Sequence, residues 1–409
     1  GVDLVNKVIK ERLPQLDIFR AIAIFAVIQV HSSSFAAAEQ ALTSPIYYFY
    51  SWMNIFFKFG TPTFIFLSSF VLFYNYYDRP INKELVGGFY KKRLLNIILP
   101  YILVSCCYFL VVAIQRHDLI ANSKMYELQK LVKGLLTGTS YTHLYFVFIS
   151  IQFYILFPLL LWLFKSFRNS KVLIALILPA GLAIQWAFVF LNKYHLHLPN
   201  KGSYAPTYMA YYFMGAAVAI CFDRIKGWLQ TDWRDMSPKQ RILTAAMWIG
   251  WLAVAFTHIQ LWHTYRLGLS RPNTFWFELA WNVQAMFSAM VLLRAAFFIH
   301  RRGSAFWKKA LTRLGELSFA IYLFHPAVLL VYRVFRTNKN LPGDSPLYLP
   351  YIIGGSLCAL FISWVFVQFC FRRLPFAWLF LGNVPASLRK KKLPKQPDGG
   401  QTPSVNANL

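Results

Sequence analysis

The chain has 409 residues, of which 57% are hydrophobic and only 14% are charged. Soluble domains carry about 25% charged residues, so the composition excludes a water-soluble enzyme, a disordered protein and a secreted disulfide scaffold. Lys and Arg number 42 against 15 Asp and Glu, a net charge of +27. Such a surplus is typical of nucleic-acid binding, but here the basic residues lie between apolar runs. We therefore predict a protein embedded in membrane lipid, with no nucleic-acid partner.

The apolar runs predict an all-α fold with about ten transmembrane helices. A helix needs about 20 apolar residues to cross the hydrocarbon core of a bilayer. Ten segments meet this criterion: 14–38, 46–74, 94–115, 142–164, 171–191, 204–222, 242–262, 275–299, 314–333 and 349–371. The second run contains Lys58, Gly60 and Pro62, which predict a helix that is kinked, tilted or partly interfacial.

The distribution of Lys and Arg predicts the orientation of these helices. With the amino terminus inside, the cytoplasmic segments carry 28 Lys and Arg residues and the segments on the other side carry 11. Positive residues are retained on the cytoplasmic side of membranes. We therefore expect both termini in the cytoplasm and a multi-pass location in the plasma membrane.

The chain divides into a transmembrane domain, 1–386, and a basic tail, 387–409. The tail is polar and rich in Pro and Gly, so we expect it to be disordered and its bases to contact anionic lipid. The five cysteines lie in apolar runs or at their ends, without CxxC spacing. They predict neither a disulfide nor a metal site.

The first helix carries three ionisable residues, Asp17, Arg20 and His31. Arg20 and His31 are eleven positions apart, about three turns, so they face the same side and lie roughly 16 Å apart along the axis. Asp17 precedes Arg20 by three positions and can pair with it. The functional interpretation is one pocket, open to the cell interior, with a cation for an anionic cofactor at its mouth and a general base inside. The structural alternative is that Arg20 reaches the interface and His31 bonds a neighbouring helix.

The first helix, LDIFRAIAIFAVIQVH at 16–31, resembles the opening signature of the membrane-bound acyltransferase 3 family. Further segments resemble the family in the same order: GTPTFIFLSSFVL at 60–72, KKRLLNIILPY at 91–101, HLYFVFISIQFYILFPLL at 143–160 and LSFAIYLFHPAVL at 317–329. Within this family, the chain is similar to the Gram-positive branch, which includes intercellular-adhesin modification proteins. Ser150 and Ile151 stand where many members have Glu, so no carboxylate role is carried over to that point.

The resemblance implies an integral-membrane O-acyltransferase. It implies an acetyl or succinyl group transferred from cytoplasmic acyl-CoA to a hydroxyl of a cell-surface polysaccharide or lipid-linked sugar. Acyl-CoA is then the donor substrate, with no tightly bound cofactor and no metal. The expected partners are membrane lipid, the cell-envelope glycan and the machinery of polysaccharide synthesis or export.

The resemblance also implies roles for individual residues. His31 is the expected catalytic base, or an acyl-carrying nucleophile, and Arg20 binds acyl-CoA with Asp17 supporting it. Arg93 is a second candidate for the phosphates of acyl-CoA.

His143, Tyr322 and His325 are expected to line the site or contact the acceptor, although a structural role is an equal alternative for both histidines. A second hypothesis for the whole chain is a transporter that exports the polysaccharide or its precursor.

Overall fold

The computed structural model describes residues 10–339 and 345–389. Within these residues the chain is almost entirely helical and contains no β-strand. The helices are α1 (Gln15–Glu39), α2 (Tyr47–Phe56), α3 (Gly60–Tyr76), α4 (Lys83–Gln115), α5 (Asp118–Ala121), α6 (Lys124–Thr137), α7 (Leu144–Ser166), α8 (Lys171–Ala175), α9 (Ile177–Leu191), α10 (Met209–Ile220), α11 (Phe222–Gln230), α12 (Pro238–Arg266), α13 (Thr274–Arg302), α14 (Ala305–Glu316), α15 (Ser318–Lys339), α16 (Tyr348–Arg373) and α17 (Ala377–Leu381).

The predicted all-α, polytopic membrane fold is confirmed. In the described part of the chain, eight helical segments are long and apolar enough to cross a membrane, and a ninth counts if Ala205–Ile220 and Phe222–Gln230, bent by 85°, form one span. The predicted segment 171–191 consists of α8 and the 15-residue α9, which is short for an independent crossing. The cytoplasmic location of the termini stays a prediction.

Side-chain contacts define two ends of the bundle. At one end, Lys10 pairs with Asp78 at 2.9 Å, and Gln15 lies 3.5 Å from a ring nitrogen of His300. We call this the amino-terminal end. At the opposite end, Glu39 at the close of α1 pairs with Arg336 near the close of α15.

Helix α1 lies in the interior of the bundle and packs against α2, α3, α13, α14, α15 and α16. Small residues make this close packing possible, because Ala21, Ala23 and Ala26 are fully buried against their neighbours. Gly315 of α14 approaches the backbone of Asp17 so closely that a Cβ there would lie 1.7 Å from the Asp17 carbonyl oxygen. The polar residues of α1 are therefore held among surrounding helices.

The second predicted segment is interrupted where the sequence indicated a kink. Helix α2 ends at Phe56, a 3₁₀ turn covers Phe57–Phe59, and α3 begins at Gly60. Gly60 packs on Val27 of α1, where a Cβ would lie 2.6 Å from a Val27 methyl group. The turn therefore lies one helical turn from His31 along α1.

Most of the predicted tail lies outside the described residues, which end at 389. Within the described part, the Ser387 hydroxyl lies 3.0 Å from Arg313 and donates a hydrogen bond to Glu316 at 2.5 Å. The chain therefore contacts α14 at the start of the predicted tail.

Helices α3 and α10 approach closely because Gly215 has no side chain. A Cβ at Gly215 would lie 2.3 Å from the Phe66 carbonyl oxygen and 2.8 Å from the Ser69 Cβ. We expect Gly215→Ala to separate the two helices and to lower the free energy of unfolding by roughly 1–3 kcal/mol. Thermal unfolding of the purified protein in detergent micelles measures this loss.

Gly87→Ala in α4 is the matched control, because nothing lies within 4 Å of the added Cβ. It should keep or raise the unfolding temperature, since Ala favours a helix over Gly. Equal unfolding temperatures for Gly215→Ala and the unsubstituted protein would contradict the close approach of α3 and α10.

Candidate active site

A large cavity of about 1060 Å³ opens toward the opposite end of the bundle. Its lining includes His31, Lys58, Tyr145, Tyr208, Trp262 and Trp281. We call it the outer cavity. Aromatic rings and polar side chains together give it the character of a site for a polar organic ligand.

His31 forms a hydrogen-bonded pair with His325. His31 Nδ1 lies 2.7 Å from His325 Nε2, and the two nearly coplanar rings meet edge to edge, with their centroids 4.9 Å apart and their planes 8° apart. His325 is completely buried, whereas His31 is partly accessible from the outer cavity. The pair therefore presents one imidazole to the cavity and places the other behind it.

The hydrogen bonds of the pair fix which nitrogens carry protons. His325 Nδ1 lies 3.0 Å from the Ile321 carbonyl oxygen. A carbonyl can only accept, so Nδ1 of the neutral ring is protonated and donates, and Nε2 is an acceptor. His31 Nδ1 must then donate to His325 Nε2. This leaves a lone pair on His31 Nε2, for which no described residue provides a hydrogen bond.

A break in α15 beside His325 supports this arrangement. Pro326 has no backbone N–H and interrupts the helical hydrogen bonds. The Tyr108 hydroxyl fills the gap, because it donates to the Leu323 carbonyl at 2.7 Å and accepts from the Ala327 amide at 3.2 Å. His143 Nε2 also donates to the Leu323 carbonyl, at 3.1 Å. The helix of His325 is therefore held by side chains from α4 and from the start of α7.

His143 and Tyr322 belong to the same buried layer. The Tyr322 hydroxyl donates to the His143 carbonyl at 2.5 Å, and the His143 and His325 ring centroids are 6.0 Å apart. Both histidines are fully buried, and neither lines the outer cavity. His143 Nε2 and His325 Nδ1 each donate to a backbone carbonyl, and His325 Nε2 accepts from His31. A contact of His143 with the acceptor stays a prediction.

Arg20 and Arg93 line a second cavity of about 200 Å³ nearer the amino-terminal end. We call it the inner cavity. Arg20 Nη1 pairs with Asp17 Oδ1 at 2.8 Å, and Asp17 is buried. Arg93 Nε is buried and has no hydrogen-bond partner among the described residues. The structure thus brings the two predicted arginines together in one cationic cavity, which also includes Tyr322.

Arg20 and His31 do not share one pocket, contrary to the sequence-based expectation. Both face the same side of α1, but each lines a different cavity. An aromatic layer of Phe64, Phe146 and Tyr322, from other helices, lines the cavity of Arg20 and not that of His31. Phe146 packs on Phe64 and on Tyr322, with ring centroids 5.7 and 4.9 Å apart. The spacing of residues on α1 could not reveal this layer, since it comes from α3, α7 and α15.

Sequence reasoning also missed part of the outer cavity. In the sequence, Lys58 indicates only a kink, and no pattern singles out Trp262 or Trp281. The available signal was Lys58 itself, because an ionisable side chain inside an apolar span indicates a functional site.

Comparison with known families identifies the class of protein that these cavities belong to. The model of the acyltransferase 3 family, described as an acyltransferase domain, matches residues 13–368. The chain therefore belongs to this family and is a multi-pass membrane protein of the acyltransferase class.

Several similar relatives come from Staphylococcus aureus. Probable poly-beta-1,6-N-acetyl-D-glucosamine export proteins of strains MSSA476, MW2 and N315 are each 22% identical over 278 residues, covering 66% of this chain and 69% of theirs. No solved structure matches the chain significantly. The chain is therefore related to proteins named for polysaccharide export.

The Tyr108 hydroxyl is predicted to stabilise the break at Pro326. Tyr108→Phe removes the acceptor of the partly buried Ala327 amide, which should lower the free energy of unfolding by about 1–3 kcal/mol. Thermal unfolding in detergent micelles measures the effect.

Tyr126→Phe, at an exposed position of α6, is the matched control and should leave the unfolding temperature unchanged. An equally small effect of Tyr108→Phe would show that its hydroxyl does not hold the helix.

Proposed function

We propose that the protein is an O-acyltransferase that moves an acyl group from cytoplasmic acyl-CoA to a hydroxyl of a cell-surface polysaccharide or lipid-linked sugar. The observation that carries the proposal is the lone pair on His31 Nε2, held toward the outer cavity by the hydrogen bond from His31 Nδ1 to His325. A general base needs this combination of an oriented imidazole and a free nitrogen.

The outer cavity suits a carbohydrate acceptor. The rings of Trp262, Trp281 and Tyr208 offer flat apolar surfaces for the faces of sugar rings, and polar side chains lie between them. A volume of about 1060 Å³ reaches the upper end of the range for small-molecule sites, roughly 300–1,000 Å³. A sugar bound there can bring a hydroxyl to His31.

The inner cavity suits the anionic part of acyl-CoA. The guanidinium groups of Arg20 and Arg93 provide planar donors that match phosphate oxygens. The pantetheine arm then extends from this cavity toward His31, and the ring of Phe146 moves aside to let the thioester through. In this assignment the plasma membrane separates the donor and acceptor sides, as the positive-inside prediction requires.

In the transfer, His31 Nε2 takes the proton of the acceptor hydroxyl as its oxygen attacks the thioester carbonyl. The new C–O ester bond forms, the C–S bond breaks, and the imidazolium returns its proton to the departing CoA thiolate. The hydrogen bond to His325 orients the imidazole in each step, so His325 is a positioning residue. An acyl-His31 relay would use the same nitrogen as the nucleophile.

The second candidate function is export of the polysaccharide, which the names of the staphylococcal relatives favour. An exporter needs a path that reaches both faces of the membrane in turn. Here the two cavities share no lining residue among those that the structure describes. We favour the enzyme because the oriented base at His31 has no role in an export path.

We expect His31→Gln to lower the rate of acyl transfer by roughly 10²–10⁴-fold, the usual contribution of a general base. Mass spectrometry of envelope glycans from cells that express each variant measures the ester content. The matched control is His195→Gln, an exposed loop histidine, which should leave the ester content unchanged. Normal esterification by His31→Gln would contradict the proposed mechanism.

The same cells separate the enzyme from the exporter. Cells without the protein should still present the polymer on their surface, without ester groups. Loss of the polymer from the surface, with esters intact on the polymer retained inside, would favour the exporter.

His325 should affect turnover and not substrate binding. His325→Leu removes the acceptor for His31 Nδ1, so kcat should fall while KM stays within a few-fold. His325→Gln offers an amide oxygen in its place and should retain more activity than His325→Leu. Equal loss in both variants would indicate that His325 acts only through packing.

Arg93 should bind the donor. Arg93→Gln removes a charged contact to phosphate and should raise the KM for acyl-CoA roughly tenfold with little change in kcat. The neighbouring Lys92 is exposed and outside the inner cavity, so Lys92→Gln is the matched control and should keep the KM. An unchanged KM in Arg93→Gln would place the phosphates elsewhere.

A further inference from the structure

Lys58 lines the outer cavity together with His31. It lies in the turn between α2 and α3, inside the span Tyr47–Tyr76. The Trp281 indole donates to the Lys58 backbone carbonyl at 3.0 Å and holds the turn in place. A lysine ammonium is thus fixed in the wall of the cavity that presents the proposed base.

The acidic residues of the outer cavity pair with other lysines. Asp118 lies 3.3 Å from Lys130, and Glu278 pairs with Lys201. Among the described residues, no carboxylate forms an ion pair with Lys58, and its ammonium makes no hydrogen bond to them. The cavity therefore contains a cation that has no carboxylate partner within residues 10–339 and 345–389.

The described side chains that contact Lys58 or the same indole ring are neutral or positively charged. Its ammonium lies 4.6 Å from the ring centroid of Trp262, and the guanidinium of Arg266 lies 5.4 Å from the same centroid. Arg266 itself donates to neutral oxygens, those of Ser51 at 3.1 Å and Asn54 at 3.0 Å. The indole face compensates only part of the cost of removing an ammonium from water.

Two further basic residues extend this charge along the cavity. Arg116 and Lys133 line it, and neither forms an ion pair with a described residue. A water-filled cavity with apolar walls concentrates the field of such charges and attracts anions.

We propose that the outer cavity binds an anionic group of a substrate, a carboxylate or a phosphate, with the Lys58 ammonium as its counter-ion. This deepens the proposed function and rests on it for the assignment of the cavity to a substrate. The anionic group has two sources. It is carried by the sugar acceptor, or it is the far end of an acyl group whose thioester lies at His31.

The test measures binding of matched charged and neutral probes to the purified full chain in detergent micelles by equilibrium dialysis. For the acceptor, the probes are methyl glucuronide and glucose 6-phosphate against methyl glucoside. For the acyl group, they are the pantetheine thioesters of glutaric acid and of valeric acid. In either the sugar set or the thioester set, the anionic probe should bind roughly 10- to 100-fold more tightly than its neutral counterpart. The set that shows this preference identifies whether the acceptor or the acyl group carries the anion.

Three variants connect this preference to Lys58. Lys58→Met keeps the apolar stem and should abolish the preference, whereas Lys58→Arg should retain most of it. Lys309→Met, at an exposed position of α14 outside the cavity, is the matched control and should keep it in full. The proposal is overturned if neither set of probes shows a preference for the anion, or if the preference survives in Lys58→Met.

His31→Gln separates this proposal from the proposed function. The variant should keep the anion preference, because Lys58 and its surroundings are unchanged. Anion preference without acyl transfer by the unsubstituted protein would overturn the acyltransferase and leave the binding site standing. Acyl transfer that shows no preference between charged and neutral substrates would overturn the anion-binding site and leave the acyltransferase standing.

Discussion

The hydrogen bond between His31 and His325 is the contact on which the site depends, because it joins the central helix α1 to α15, the helix that contains Pro326. Each neutral imidazole has one donor and one acceptor nitrogen, so the Ile321 carbonyl determines the proton positions of both rings. Pro326 interrupts the backbone hydrogen bonds of α15, and the backbone groups released there need other partners because unsatisfied groups are costly in a membrane. Tyr108 and His143 satisfy the Leu323 carbonyl, and the orientation of His31 follows from these buried contacts.

The interior of the molecule contains two separate cavities, and each presents a different set of functional side chains. The inner cavity presents Arg20 and Arg93 and the outer cavity presents His31 and Lys58, so each carries positive charge. Tyr322 lines the inner cavity, and its hydroxyl bonds to the backbone of His143, which contacts the helix of His325. A residue that lines the inner cavity is therefore connected by hydrogen bonds to the support of the proposed base.

The sequence predicted the parts of the fold that follow from local patterns. Apolar runs revealed the all-α membrane fold, and Lys58, Gly60 and Pro62 marked the interruption between α2 and α3. Spacing on α1 placed Asp17 next to Arg20, and the structure pairs them. The contact of His31 with His325 joins residues 294 positions apart, and the aromatic layer comes from three different helices. Such long-range contacts depend on tertiary packing, which no periodicity within one helix encodes.

The central claim is that His31 presents an unprotonated Nε2 to the outer cavity. Nitrogen-15 magnetic resonance of the membrane-reconstituted protein, labelled at its nine histidines, reports the protonation of each ring nitrogen. Spectra of His31→Gln and His325→Gln assign the two signals. The account predicts a neutral His31 at pH 7 with its proton on Nδ1. A neutral His31 with its proton on Nε2 and an unprotonated Nδ1 would contradict the account.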